Sequence, residues 1–252
     1  MLVSLGHRVL LHGRDQTKLD KVAEALAATP DGGQTESYLA DLSRFSEVEE
    51  LAKAVTAKHD KLDVLINNAG VYRTAEIITE IGLDVRFAVN AIAPFLLTQR
   101  LLPLLGKSGR VINLSSAAQS PVDPDALTGK VRLSDGVAYA QSKLAITMWS
   151  LSMAHSLKDD GPAIIAVNPG SMLGSKMVKE AYGVTGGDIR IGAEILTRAA
   201  LSDEFAAASG EYFDNDSGQF RPPHPDALDS RKSGEIMHII ETVLVNESQS
   251  DI

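Results

Sequence analysis

Tyr139 and Lys143 stand four residues apart in the run Tyr139-Ala140-Gln141-Ser142-Lys143. On a helix that spacing puts a phenol and an ammonium on one face, about one turn from each other. A phenol in water titrates near ~10, so acid/base work at neutral pH needs a shift of roughly 3 units, or about 4 kcal/mol. A lysine charge ~4 Å away supplies about 1 kcal/mol in bulk water and about 4 at an effective dielectric of ~20. Proton chemistry from this pair therefore requires a partly dry cleft. The spacing alone is common, and it fits a surface helix pair equally well.

The elements that would have to build such a cleft are legible. Apolar runs at 8–12, 34–40, 62–66, 110–114, 163–167 and 210–213 read as strands. Helical spacing covers 17–28, 45–59, 83–105, 139–157, 188–202 and 233–245, and residues 1–6 read as the tail of an amphipathic helix stopped by Gly6. Strands alternating with helices predict an α/β fold, a Rossmann-type doubly wound parallel sheet with helices on both faces. Ligands of such sheets sit beyond the carboxyl ends of the strands. There the chain carries Arg14, Asp41, Asn67-Asn68, Ser115-Ser116 and Asn168-Pro169-Gly170. Each group has an ordinary explanation as a turn, a loop or a strand cap; together they collect polar residues on one edge of the sheet.

Bulk properties narrow the function classes. The 252 residues fit one α/β domain spanning 1–252. A net charge of −9 without a basic stripe argues against nucleic acid and anionic membranes as partners. The chain has no cysteine, hence no thiolate nucleophile and no zinc–thiolate site, and its six histidines show no metal-ligand spacing, so no metal is expected. No apolar run comes close to the ~20 residues that span a bilayer. The expected location is cytoplasmic, with an upstream targeting segment left open.

Asn67-Asn68-Ala69-Gly70 after a strand, Asn90 in the long helix, Ser115-Ser116, Tyr139-x-x-x-Lys143 and Asn168-Pro169-Gly170 follow one another in the order of the short-chain dehydrogenase/reductase family. The chain resembles that family from Arg8 to Phe213. The resemblance implies an oxidoreductase that transfers hydride between a nicotinamide cofactor and an alcohol or carbonyl. Tyr139 would be the acid/base. Ser116, or Ser115 in the neighbouring register, would hold the substrate oxygen. Lys143 would bind the nicotinamide ribose and depress the tyrosine pKa, and Asn90 would hold a water linking Lys143 to solvent. Asp41 would meet the adenine edge, Asn68 and Ala69 would line the adenosine, and Leu42, Gly70, Pro169 and Gly170 complete the implied cofactor set. Where NAD sites present a carboxylate to the ribose, this chain has Gly13 followed by Arg14, which suits a 2′-phosphate. NADP(H) is therefore expected over NAD(H), with Asp15 as a nearby carboxylate that speaks for the latter.

One departure stands out. The family has a first strand and a glycine-rich turn before the segment that starts at Arg8. Arg14 lies too near Met1 for the roughly 20 residues that separate such a turn from this position. The expectation is a chain that begins inside the first helix, leaves sheet edges unpaired, binds cofactor poorly and is unstable. The competing function is a non-catalytic or cofactor-binding-defective relative, acting as a binding or regulatory protein. Residues 117–138, with Pro121, Pro124 and Leu133, make a longer gap before Tyr139 than is usual in the family and resemble its retinol-dehydrogenase-like and WW-domain-oxidoreductase-like branch. Met172, Leu173, Met177, Val178 and Tyr182 are expected to form a lid suited to an apolar substrate, and the chain after Phe213 to help cover it. Trp149 and its neighbours read as core. A homodimer through helices 83–105 and 139–157 is what the family's habit implies.

Overall fold

A computed structural model describes residues 1–250. Its strands are β1 (Val9–Gly13), β2 (Thr35–Leu39), β3 (Val64–Asn67), β4 (Arg110–Leu114), β5 (Ala163–Asn168), β6 (Tyr212–Asp214) and β7 (Gln219–Phe220). In the first half the helices are α1 (Gln16–Ala27), α2 (Phe45–Thr56), α3 (Val85–Phe87), α4 (Ala93–Leu105) and α5 (Pro124–Leu127). The second half adds α6 (Asp135–Leu157), α7 (Lys176–Tyr182), α8 (Ile189–Leu201), α9 (Asp203–Ala206), α10 (Pro225–Leu228) and α11 (Ser230–Ser250).

The expected architecture is present. β3 to β6 pair in parallel, in that order, and β7 closes the edge antiparallel to β6. β5 is buried along its whole length, as a continuous apolar run flanked on both faces must be. Alternate residues serve opposite layers. Val111 and Ile164 face the larger core, built by the helices from α2 to α6 and by α11. Ile112, Ile165 and Val167 face a smaller core with Ile195 and Ala199 of α8 and Phe205 of α9. Trp149 is fully buried in the larger core and donates to the Ala91 carbonyl at 3.1 Å.

β1 and β2 form a separate parallel pair. β1 and β3 flank a cleft of about 610 Å³, lined by Val9, Leu10, Leu11 and His12 on one side and Val64, Leu65 and Ile66 on the other. The anticipated unpaired edges are these two. The Val9 N–H bonds the Gln34 carbonyl, so Leu10 and His12 turn their backbone groups to the cleft.

Several expectations are corrected in detail. Residues 1–6 form a short 3-10 turn, Val3–Leu5, ended by Gly6 at φ 84°, instead of the end of an α-helix. The long helix is interrupted by a π turn, Ala88–Ile92. The run Val85–Leu105 is long and apolar enough to cross a membrane by length and composition, contrary to the sequence count, but 72% of its apolar stretch is buried inside the protein. The 117–138 stretch is no loose surface loop: α5 buries Ala126 and Leu127 in the larger core. β7 was not anticipated. α11 lies along α6 through Ile236 and Ile240, so part of the surface expected to pair with a second copy is already covered.

Candidate active site

The site forms where β3, β4 and β5 end against the start of α6. Tyr139 is half-buried on the first turns of α6 and Lys143 follows one turn later, 4% exposed. The Lys143 Nζ donates to the Leu114 carbonyl, the last residue of β4, at 2.7 Å. It also lies 5.7 Å from the centroid of the Tyr139 ring. Burial brings the lysine pKa down to about 8. Burial also pushes the Tyr139 phenol above its ordinary value; contact with the Ser116 hydroxyl works against that rise, and Tyr182 and Tyr72 add to it. Desolvation outweighs the Ser116 contact, so burial sets the direction of the phenol's shift here.

The serine register is resolved by burial. Ser115 is buried, and its Oγ lies 2.7 Å from Thr147 Oγ1 while it donates to the Lys143 carbonyl at 3.2 Å. Ser115 thus ties β4 to α6, whereas Ser116, one residue on, turns its hydroxyl to Tyr139. The Ser116 carbonyl accepts from Gln119 Nε2 at 2.9 Å and from the Tyr212 phenol at 3.1 Å, which pins the residue after the strand end.

Asn90 sits in the π turn, a local widening often found at functional positions. Its Oδ1 accepts from the Val71 N–H at 2.8 Å, and its Nδ2 donates to the Val71 carbonyl and to Ser142 Oγ, each at 2.9 Å. It clamps the loop after Asn68-Ala69-Gly70 onto α6. Gly70 lies directly beside both groups: a Cβ built there would meet Asn90 Oδ1 at 3.4 Å and Lys143 Nζ at 3.5 Å, at ordinary contact distance.

The other expected cofactor residues lie at neighbouring strand ends. Arg14 is exposed after β1, and its charge reaches Asp41 after β2. Burial pushes the Asp41 carboxyl up, but the Ser43 hydrogen bonds and the charges of Arg14 and Arg44 outweigh it and hold the group below its ordinary value. Asn68 is exposed and Ala69 half-buried at the end of β3. Leu42 turns its side chain into the larger core and also lines the cleft between β1 and β3. Pro169 and Gly170 follow β5. Gly170 has φ 122°, which excludes other residues, and Asn215 Nδ2 donates to the Pro169 carbonyl at 3.0 Å. These residues suit the two ends of a dinucleotide. Among the described residues no glycine-rich strand-to-helix turn stands between them.

Sequence reasoning did not find Tyr72, whose ring centroid is 5.0 Å from that of Tyr139 and 5.8 Å from that of Tyr182. The lid residues Met177, Val178 and Tyr182 fall on α7, which buries no residue, and the Met177 methyl comes within 3.8 Å of the Cβ position of Gly70. Nor did it find Asn113, which accepts from Asn67 at 2.7 Å and donates to Ser150 at 2.7 Å beneath the site. A short polar residue inside an apolar strand was the only available signal.

Comparison with known proteins agrees with this geometry. The family model for short chain dehydrogenases matches residues 1–183. Human retinol dehydrogenase 13 is 30% identical over 247 residues, covering 90% of this chain and 74% of its own. Mouse retinol dehydrogenase 12 is 32% identical over 225 residues, covering 84% and 71%. Among solved structures, the RhlG/NADP active-site complex of Pseudomonas aeruginosa superposes with a TM-score of 0.69 at 25% identity, covering 86% of this chain and 88% of that one. A metagenomic short-chain oxidoreductase in complex with NADP gives 0.58 at 30% identity, covering 81% and 83%. With a parallel sheet whose β4 leads to Ser116 beside Tyr139 and Lys143 of α6, this chain belongs to the short chain dehydrogenase family.

Proposed function

We propose that this protein transfers hydride between NADP(H) and an alcohol or carbonyl substrate, with Tyr139 as the acid/base. The observation that carries the proposal is the convergence of Tyr139, Ser116 and Lys143 at one strand end, in a site dry enough to bring the lysine pKa down to about 8. In the reductive direction the Tyr139 phenol donates its proton to the substrate oxygen. The Ser116 hydroxyl donates a hydrogen bond to the same oxygen and holds it against the tyrosine. Lys143 supplies positive charge beside the phenolate that remains. The nicotinamide cofactor, when bound, supplies or accepts the hydride.

NADP(H) is proposed over NAD(H) because Arg14 follows β1, at the adenosine end of the site. The NADP complexes among the structural relatives support the same choice. An apolar substrate is proposed because Tyr72 packs on Tyr139 and Tyr182 on Tyr72, and Met172, Val184 and Ile189 are exposed around α7. The printed names of the retinol dehydrogenases among its relatives point the same way. The test is NADPH-dependent reduction of a medium-chain aldehyde by the parent and by Tyr139→Phe. The variant is expected to lose at least about 100-fold in kcat; equal rates would sink the assignment.

A further inference from the structure

Tyr139 occupies the opening turns of α6, the end of a helix with the fewest intrahelical bonds. That end is poorly secured by its own sequence. Ser134 at the N-cap makes no side-chain cap bond, and Gly136 follows in the first turn, where glycine disfavours helix.

An ion pair to a buried arginine takes over. Asp135 Oδ1 accepts from Arg86 Nη1, and its Oδ2 faces Arg73 Nε at 3.4 Å. Arg86 is fully buried, and its Nε and Nη2 also donate to the two oxygens of Asp84 at 2.8 and 2.6 Å. A carboxylate at this end of α6 further suits the helix dipole. Arg86 precedes Asn90 by four residues, and Asp135 precedes Tyr139 by four. The two helical segments are therefore stitched at two levels: Asn90 to Ser142 at the site, and Arg86 to Asp135 at the start of α6, about two turns before Ser142.

We infer that Arg86 and Asp135 are positioning residues that hold the first turn of α6, and with it the Tyr139 phenol, against the Asn90 segment. This rests on the proposed role of Tyr139. Neither side chain is assigned contact with substrate.

The test compares parent and Asp135→Asn; Asp135 is only half-buried, which lets the variant fold. The first readout is amide hydrogen exchange of the ligand-free chain. Exchange at 138–140, the first hydrogen-bonded amides of α6, is expected to rise at least about 10-fold, while β4 and β5 keep their protection. Unchanged exchange at 138–140, or a rise shared by β4 and β5, overturns the inference. The second readout is kinetic, with NADPH and octanal. A fall of about 10-fold or more in kcat at a KM for NADPH within about 2-fold is expected, since small displacements of a reacting group lower rate more than binding. An unchanged kcat overturns it. If exchange rises as described but Tyr139→Phe reacts like the parent, the clamp stands and the catalytic reading of Tyr139 fails.

Discussion

Lys143 Nζ donates to the Leu114 carbonyl at 2.7 Å and lies 5.7 Å from the centroid of the Tyr139 ring, so the lysine is anchored to the end of a central strand and faces the phenol across a dry gap. Its folded pKa of about 8 lies below the ordinary 10.5. Between those values the unfolded chain binds more protons than the folded one, so this residue makes stability rise with pH from about 8 toward 10.5. Below pH 8 the buried charge costs about 3 kcal/mol relative to the high-pH limit. Lys143→Met should remove that rise and melt at higher urea than the parent at pH 7. Urea titrations at pH 7 and 9 check this; parallel pH dependences for the two proteins would rule it out.

The two adjacent serines should separate cleanly. Ser115→Ala removes a buried link to Thr147 and the Lys143 carbonyl, and should cost about 1 kcal/mol of stability with kcat within a few-fold. Ser116→Ala should keep the melting temperature and lower kcat by about 100-fold, as for loss of one donor to a reacting oxygen. Melting curves and steady-state kinetics on both variants are sufficient. The reverse pattern would move the role to Ser115.

Arg14 lies exposed beside Asp41, where the proposed function has it meet the 2′-phosphate of NADP(H). Arg14→Ala should weaken NADPH binding by about 10- to 100-fold, the worth of a charge-assisted hydrogen bond. NADH binding should change little. Calorimetric titration of both cofactors into both proteins decides; an equal effect on the two would leave Arg14 without a role in cofactor choice.

The separate β1–β2 pair should open more readily than the main sheet. Val9, Leu10 and Leu11 are only half-buried, whereas four of the five residues of β4 and all of β5 are buried. Native-state hydrogen exchange should show the β1 amides opening at least about 2 kcal/mol below those of β4 and β5. Within β1, Leu10 and His12, which face the cleft, should exchange fastest. Uniform protection across the two sheets would contradict this.

Much of the fold was legible because its signals are local. β4 and β5 announce themselves as apolar runs bounded by turn residues, and α2 by Phe45, Val48, Leu51 and Val55 on one face. The ends of these strands carry Ser116, Asn68 and Pro169-Gly170, so the topological rule for such sheets placed a site there before any contact was known. β7, two residues long, and the π turn at Asn90 carry no comparable pattern.

What the amino-acid order determined by itself is the menu of chemistry: a phenol and an ammonium one helical turn apart, a serine pair and an asparagine, each at the end or on the face of a recognisable element. Which serine faces the phenol, which way the phenol's pKa moves, and what secures the first turn of α6 were decided only in three dimensions. Those answers depend on burial and on partners far apart in the chain, Ser115 with Thr147 and Arg86 with Asp135. In sequence Arg86 and Asp135 look like solvated charges. Only packing removes the water from Arg86, and that removal makes the pair a fastener for the turn that carries Tyr139.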